Sequence, residues 1–208
     1  MTSCNTWRSL IYCCTVITEL DETSPPWCLR LISEFNAADD RAIALARGLS
    51  PQQLNWKPHP GEWSIGQCLE HLRVSNEVYC PAISNSLEGR PLAVVKEIRV
   101  GWFGQWFIRN YIEPSSAKRR APKKIKPVPD VEASVLDQFL ASNRNARELV
   151  FRAENYDVNR IRFTNPFIPV IRFTVGTGLE ILSKHERRHL LQAERIRKSL
   201  DFPERSYS

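Results

Sequence analysis

Four long stretches of this chain repeat apolar residues every three or four positions, and nothing else in it constrains the fold as strongly. The first runs from Trp27 to Arg47, with Leu31, Phe35, Ala38, Ala42 and Leu45 on one side and Gly48 placed to end it. A second opens at Ser64, which forms a capping box with Gln67, while Trp63 just before it is positioned as a staple. This helix is predicted to reach Ser84 or Ser86, with Pro81 kinking or ending its last turn. Ile65, Cys68, Leu69, Leu72 and Val78 mark its inner side, and His71 borders it. Asp130 reads as the N-cap of a third helix through Arg152, with Val135, Phe139, Ala146, Leu149 and Val150 inward. The fourth spans from Thr177 or Leu179 to Ser199, where Phe202-Pro203 stops it. Each apolar stripe must be buried, and four such helices without an internal repeat predict an all-α four-helix bundle.

The connections between these helices are long. Ser50 to Trp63 is a proline-rich link with two tryptophans. Val100–Ile108 is strongly aromatic and predicts a short helix over one end of the core. Lys118–Lys126 places six cations in nine residues. Such a run reads first as a solvated loop. Arg119, Arg120, Lys123 and Lys124 could meet an anionic substrate, but no spacing requires it. A connection of this length is a lid or an ordered excursion rather than an idle linker. Val170–Val175 is β-branched, yet is expected to be extended loop.

Length and composition narrow the class. A chain of 208 residues, 42% hydrophobic and 25% charged, suits one globular domain, assigned to residues 24–203. Residues 1–23 read as a poorly ordered extension, and residues 204–208 as a tail. No apolar run approaches the ~20 residues that cross a bilayer, so no membrane partner is expected. The start lacks the apolar core and small-residue cleavage site of a signal peptide. Cys4, Cys13, Cys14, Cys28, Cys68 and Cys80 include no CxxC pair and read as reduced, mostly buried thiols of a cytoplasmic protein. The net charge of +6 comes with no nucleic-acid motif, so nucleic acid is not an expected partner.

The chemistry lies in the histidines. His185 and His189 are four residues apart on the fourth helix, a spacing that stacks both on one face. Leu182, Leu190, Ala193 and Ile196 fall on the same side, so the pair faces the core. With His71 of the second helix they make three imidazoles, and bundle cores build metal sites from facing helices in this manner. Three protein ligands leave a coordination position open, as catalytic sites do, although imidazole ligation does not choose among zinc, nickel, copper and iron. His59, between two prolines, reads as structural or exposed.

Trp56-Lys57-Pro58, Gly61-Glu62-Trp63-Ser64-Ile65-Gly66, His71-Leu72 and the later His185-Glu186-Arg187-Arg188-His189-Leu190-Leu191-Gln192 resemble the DinB-like/YfiT-like superfamily over about Pro26 to Phe202. That superfamily includes YfiT-type metal-dependent hydrolases and bacillithiol S-transferases. The resemblance implies an up-down-down-up bundle with His71, His185 and His189 as ligands of a divalent transition metal, zinc or nickel foremost. It implies a metal-dependent enzyme that activates a thiol or water for transfer or hydrolysis, acting on a small-molecule substrate with a low-molecular-weight thiol as partner. The alternative is a non-catalytic metal- or ligand-binding bundle, a stress-related binding or homodimerisation module. Residues 1–23 and the basic insert depart from the pattern, so a specific substrate does not carry over. No Ser or Cys nucleophile with its own base is evident, and no catalytic side chain is assigned. Cys68, one turn before His71, reads as a small buried hydrophobe.

His185–His189 is also a literal HExxH, the zinc-protease signature with Glu186 as general base. The extended form of that motif is absent and few residues follow to supply a third ligand. On a helix Glu186 points about 100° from His185, and it is expected to be exposed or salt-bridged.

Overall fold

The computed structural model describes residues 24–113 and 121–203. The long helices are α1 (Pro26–Ala46), α3 (Ile65–Ser86), α5 (Val135–Ala153) and α6 (Val175–Arg197). Helices α1 and α3 each pack against both α5 and α6, which makes the all-α bundle. Two short helices, α2 (Pro51–Asn55) and α4 (Trp102–Phe107), lie in the connections. A two-stranded antiparallel hairpin, β1 (Arg162–Thr164) and β2 (Arg172–Thr174), precedes α6. None of the described helices is long and apolar enough to cross a membrane.

Local chemistry explains most of the boundaries. Ser64 accepts from the Gln67 backbone N–H while the Gln67 side chain accepts from the Ser64 N–H, so the capping box is complete. Ser50 and Gln53 form a second one, which starts α2 inside the proline-rich link. Pro81 does not end α3, which runs on to Ser86 with Ile83 still buried. The third long helix starts later than Asp130. Val131 donates its N–H to Asn55 Oδ1 (2.8 Å) and accepts from Asn55 Nδ2 (3.0 Å), so its backbone is not available to a helical turn.

The hairpin corrects the expectation of an extended loop over Val170–Val175. Phe163 and Phe173 are paired in register and both point into the core. Thr174 then caps α6, its hydroxyl accepting from the Thr177 N–H at 3.2 Å, so the helix begins earlier than Thr177. A methyl at Gly178 would stand 2.6 Å from the Phe163 ring, and the hairpin can lie this close only because there is none. The aromatic segment does form a short helix over one end of the core. It continues as a π-helical turn over Ile108–Ile112, with Phe107, Ile108 and Ile112 buried, while Trp102 remains 81% exposed.

The core falls into two apolar clusters. One joins the first half of α1 and α6 to the second half of α3 and α5. The other joins the opposite halves with α2. Between them each long helix contributes polar groups at mid-height: Asp39, Asn76, Ser142 with Asn143, and Glu186. Cys28, Cys68 and Cys80 are buried free thiols, as the sequence suggested, and Cys4, Cys13 and Cys14 lie outside the described residues.

Candidate metal centre

Helices α3 and α6 face each other, and this brings His71 together with His185 and His189. The ligating nitrogens lie within 4.8 Å of one another. His71 and His189 are buried and His185 is half-buried. His185 and His189, which their spacing places on one face, have ring centroids 4.7 Å apart.

Hydrogen bonds fix two of the three rings. His71 Nδ1 is 2.6 Å from the Ile125 carbonyl, which only accepts, so Nδ1 carries the proton and Nε2 is left with its lone pair. That Nε2 lies 3.1 Å from His185 Nε2. Two nitrogens bound to one cation at 2.0–2.1 Å are about 2.8–3.4 Å apart in octahedral or tetrahedral geometry, so this pair is spaced as two ligands of one divalent transition metal are. His189 Nδ1 sits 3.1 Å from Gln192 Oε1, a partner that leaves Nε2 free in the same way. Burial pushes His71 down to about 4, with Arg188 adding to the shift and the Ile125 carbonyl opposing it. His185 and His189 are held well below the usual imidazole range, by burial first and then by the neighbouring imidazoles and Arg188. All three are neutral at pH 7, the form that binds metal.

The histidines form one end of a cavity of about 500 Å³. Trp63, expected as a staple for α3, instead lays its ring over two of them, with centroids 4.7 Å from His71 and 5.3 Å from His189. Along α3 the wall continues through Ser75 and Tyr79, and along α6 through Leu182 and Ile181. Phe107 and Ile112 close one side; Ala121, Pro122 and Ile125 close another. The described part of the basic insert therefore covers the site, held by Gln67 Nε2 to the Val128 carbonyl at 2.8 Å as well as by Asn55 and His71. Gly66 makes this possible, since a methyl there would meet Val131 Cγ2 at 2.2 Å.

The described cations of the insert, Lys123, Lys124 and Lys126, do not line the cavity. Lys123 and Lys124 are exposed, and Lys118, Arg119 and Arg120 lie outside the described residues. Among the described lining residues the positive charge is Arg188, whose guanidinium donates to the carbonyls of Tyr111 (3.2 Å) and Glu113 (3.0 Å). Sequence reading missed it, although its position three residues after His185 places it on the same face. It also missed Ile125, for which no signal exists: a backbone carbonyl leaves no mark in a sequence. His59 is exposed, and Cys68 is fully buried in the apolar core, where burial raises its thiol pKa.

Glu186 departs from expectation. It is neither exposed nor salt-bridged: it is 1% exposed, and Asn76 Nδ2 donates to its Oε1 at 3.0 Å. It points into the mid-height polar layer and does not line the cavity. The general-base role of the HExxH reading has no geometric support.

The profile of the DinB superfamily matches residues 34–193, a span that contains all three histidines. The uncharacterized protein YuaE of Bacillus subtilis (strain 168) is 23% identical over 180 residues, covering 82% of this chain and 99% of that protein. No solved structure matches the chain significantly.

Proposed function

Since the chain belongs to the DinB superfamily, we propose that it is a metal-dependent enzyme of small molecules, with His71, His185 and His189 holding a divalent transition metal such as zinc or nickel. One observation carries this reading: three neutral imidazoles converge in the wall of a cavity of about 500 Å³, the size of a small-molecule site. A divalent cation held there supplies Lewis acidity, which lowers the pKa of a thiol or water that reaches it. The residues around it supply the rest. The Ile125 carbonyl and Gln192 set the tautomers of their histidines. Trp63 and the segment Ala121–Ile125 keep bulk water away. Arg188 places a fixed positive charge at the histidine end, which favours the anionic form of a nucleophile. The reaction class is transfer of a low-molecular-weight thiol, or hydrolysis. Residues 24–203 form the working unit, and reduced buried cysteines suit a cytoplasmic location.

A second reading, a non-catalytic ligand-binding module that pairs with a second copy, draws on the exposure of Trp102 (81%) and Trp106 (48%). Metal content of untagged protein, wild type beside His71→Ala, separates these readings when joined to a thiol-transfer assay in which cysteine displaces chloride from 1-chloro-2,4-dinitrobenzene. About one metal equivalent and measurable turnover, both lost in the variant, are the expected result. Metal binding without turnover of this or of simple ester substrates makes the binding module the better account. Metal content and turnover both untouched by His71→Ala sink the three-histidine assignment.

A further inference from the structure

The end of the cavity away from the histidines carries two buried polar groups in an otherwise aromatic wall. Tyr79 is 3% exposed and Asn165 is 2% exposed, and both line the cavity. The Asn165 side chain cannot turn over freely. Its Oδ1 accepts from the backbone N–H groups of Phe167 (2.8 Å) and Ile168 (3.1 Å), which holds Nδ2 on the other side. That Nδ2 meets the Tyr79 hydroxyl at 3.5 Å, the outer limit of a hydrogen bond. In this contact the hydroxyl oxygen accepts, so its own O–H has no acceptor among the described residues. Burial raises the phenol pKa, which keeps the proton in place as a donor. The Tyr79 ring is fixed independently, edge-on to Phe163 at 5.3 Å and stacked on Phe167 at 5.7 Å. Two uncharged donors, an O–H and an N–H, are thus held side by side where no water-exposed surface competes for them.

Their position relative to the histidines follows from α3. His71, Ser75 and Tyr79 are spaced four residues apart and all three line the cavity. From His71 to Tyr79 the helix rises about 12 Å. Apart from Ser75, whose hydroxyl donates to the His71 carbonyl, the wall between is apolar: Leu182, Ile181 and Phe107 on one side, Ile125 on the other. A ligand that fills this space has one end at the histidines, a flat or apolar middle, and its far end at Tyr79 and Asn165.

We propose that Tyr79 and Asn165 form a specificity subsite that reads a neutral hydrogen-bond acceptor, a ketone, amide or ester carbonyl, on the far end of an aromatic substrate. Neutral is the decisive word. Neither donor carries a charge, and Arg188, the cation among the described lining residues, stands beside His185 and His189 on α6, so a carboxylate at the far end meets no cationic side chain of the described wall. This rests on the proposed function for its reacting end only.

The test uses two probes of one skeleton, 4-mercaptoacetophenone and 4-ethylthiophenol, which differ in a carbonyl replaced by a methylene. Binding is measured calorimetrically to wild type, Tyr79→Phe and Asn165→Asp, each metal-loaded and chelator-treated. Tyr79→Phe keeps the ring stack, and Asn165→Asp keeps the oxygen that the Phe167 and Ile168 N–H groups use; circular dichroism confirms that both fold. The ketone should bind wild type about tenfold more tightly than its partner, and each variant should bring the two within about twofold. A preference that survives metal removal supports the subsite even if the metal reading fails. Equal, metal-dependent binding of both probes leaves the metal reading intact and overturns the subsite. Binding of neither probe, or a preference unchanged in Tyr79→Phe, also overturns it.

Discussion

His185 and Glu186 are consecutive residues of α6, both withdrawn from water, and their surroundings differ in nearly every respect. His185 opens onto the cavity with two further imidazoles, and its Nε2 lies 3.1 Å from the Nε2 of His71. Glu186 points into the bundle between the two apolar clusters, against Asn76, with the Asp39–Arg147 ion pair (2.6 Å) and Asn143 close by. Burial acts on both, in opposite directions: it pushes the imidazole down and raises the carboxyl to about 8. Both groups are therefore neutral at pH 7, for one physical reason. What separates them is what each neutral form offers. The imidazoles offer convergent lone pairs, a ligand set. A protonated Glu186 offers an O–H to a layer in which Asn143 Oδ1 has no partner among the described residues, which is a packing role. A motif that names both residues in one breath, HExxH, joins two functions that the helix keeps about 100° apart.

The sharpest way to break this contrast is to exchange the losses. His185→Ala should lower affinity for zinc or nickel by more than about 100-fold, since even outer-shell partners of metal ligands are worth 10–100-fold. Glu186→Gln should leave it within a few-fold of wild type. Equilibrium dialysis of the two variants reads the difference directly, and a metal loss in Glu186→Gln equal to that in His185→Ala would show that the carboxyl belongs to the site.

Stability should show the reverse order. Glu186→Ala removes the acceptor of the Asn76 amide and opens a void at the centre of the bundle, a loss of about 2–4 kcal/mol. In metal-free protein His185→Ala should cost less than about 1 kcal/mol, because the side chain borders a cavity and is only half-buried. Urea denaturation of both variants without metal makes the comparison. Equal destabilisation would mean that the histidines, too, serve to hold the bundle.

The same contrast explains what the sequence disclosed. Helical periodicity located the four long helices because each buries one stripe, and the His185/His189 spacing was legible because a helix has a fixed pitch. The hairpin was not legible. Its strands are three residues each, and Phe163 and Phe173 become a pair only once β1 and β2 meet. Glu186 was misjudged because one helix turn has two buried sides here. Residues flanking a buried histidine are usually placed in solvent by an amphipathic reading, whereas α6 packs against both α1 and α3. The cover of the site was hidden for another reason: it consists of backbone, the Ile125 carbonyl and the close approach of Val131 to Gly66, held by Asn55 and Gln67 from elsewhere in the chain.

The smallest effect, and the one that tests neutrality itself, is on pH. In metal-free protein the folded histidines bind protons only below their ordinary range, His71 at about 4 and the other two well below the usual imidazole value, while the unfolded chain binds them from about 6.5. Between these values the unfolded state holds more protons, so stability rises with pH. Glu186 has the opposite sign. Its folded pKa of about 8 lies above the ordinary 4.5, so its contribution is complete at low pH and is lost as pH rises through 8. Below pH 6.5 three imidazoles outweigh one carboxyl; above it Glu186 acts alone. Wild type should therefore lose about 2 kcal/mol between pH 6.5 and 8.5 from this one group, in excess of any loss in Glu186→Gln, which has no proton to give up. Other groups titrating in that range do so in both proteins and cancel in the difference. Urea midpoints at the two pH values supply the measurement. Parallel losses in wild type and variant would mean that Glu186 is ionised in the folded protein, and the symmetry between the two sides of α6 would have to be abandoned.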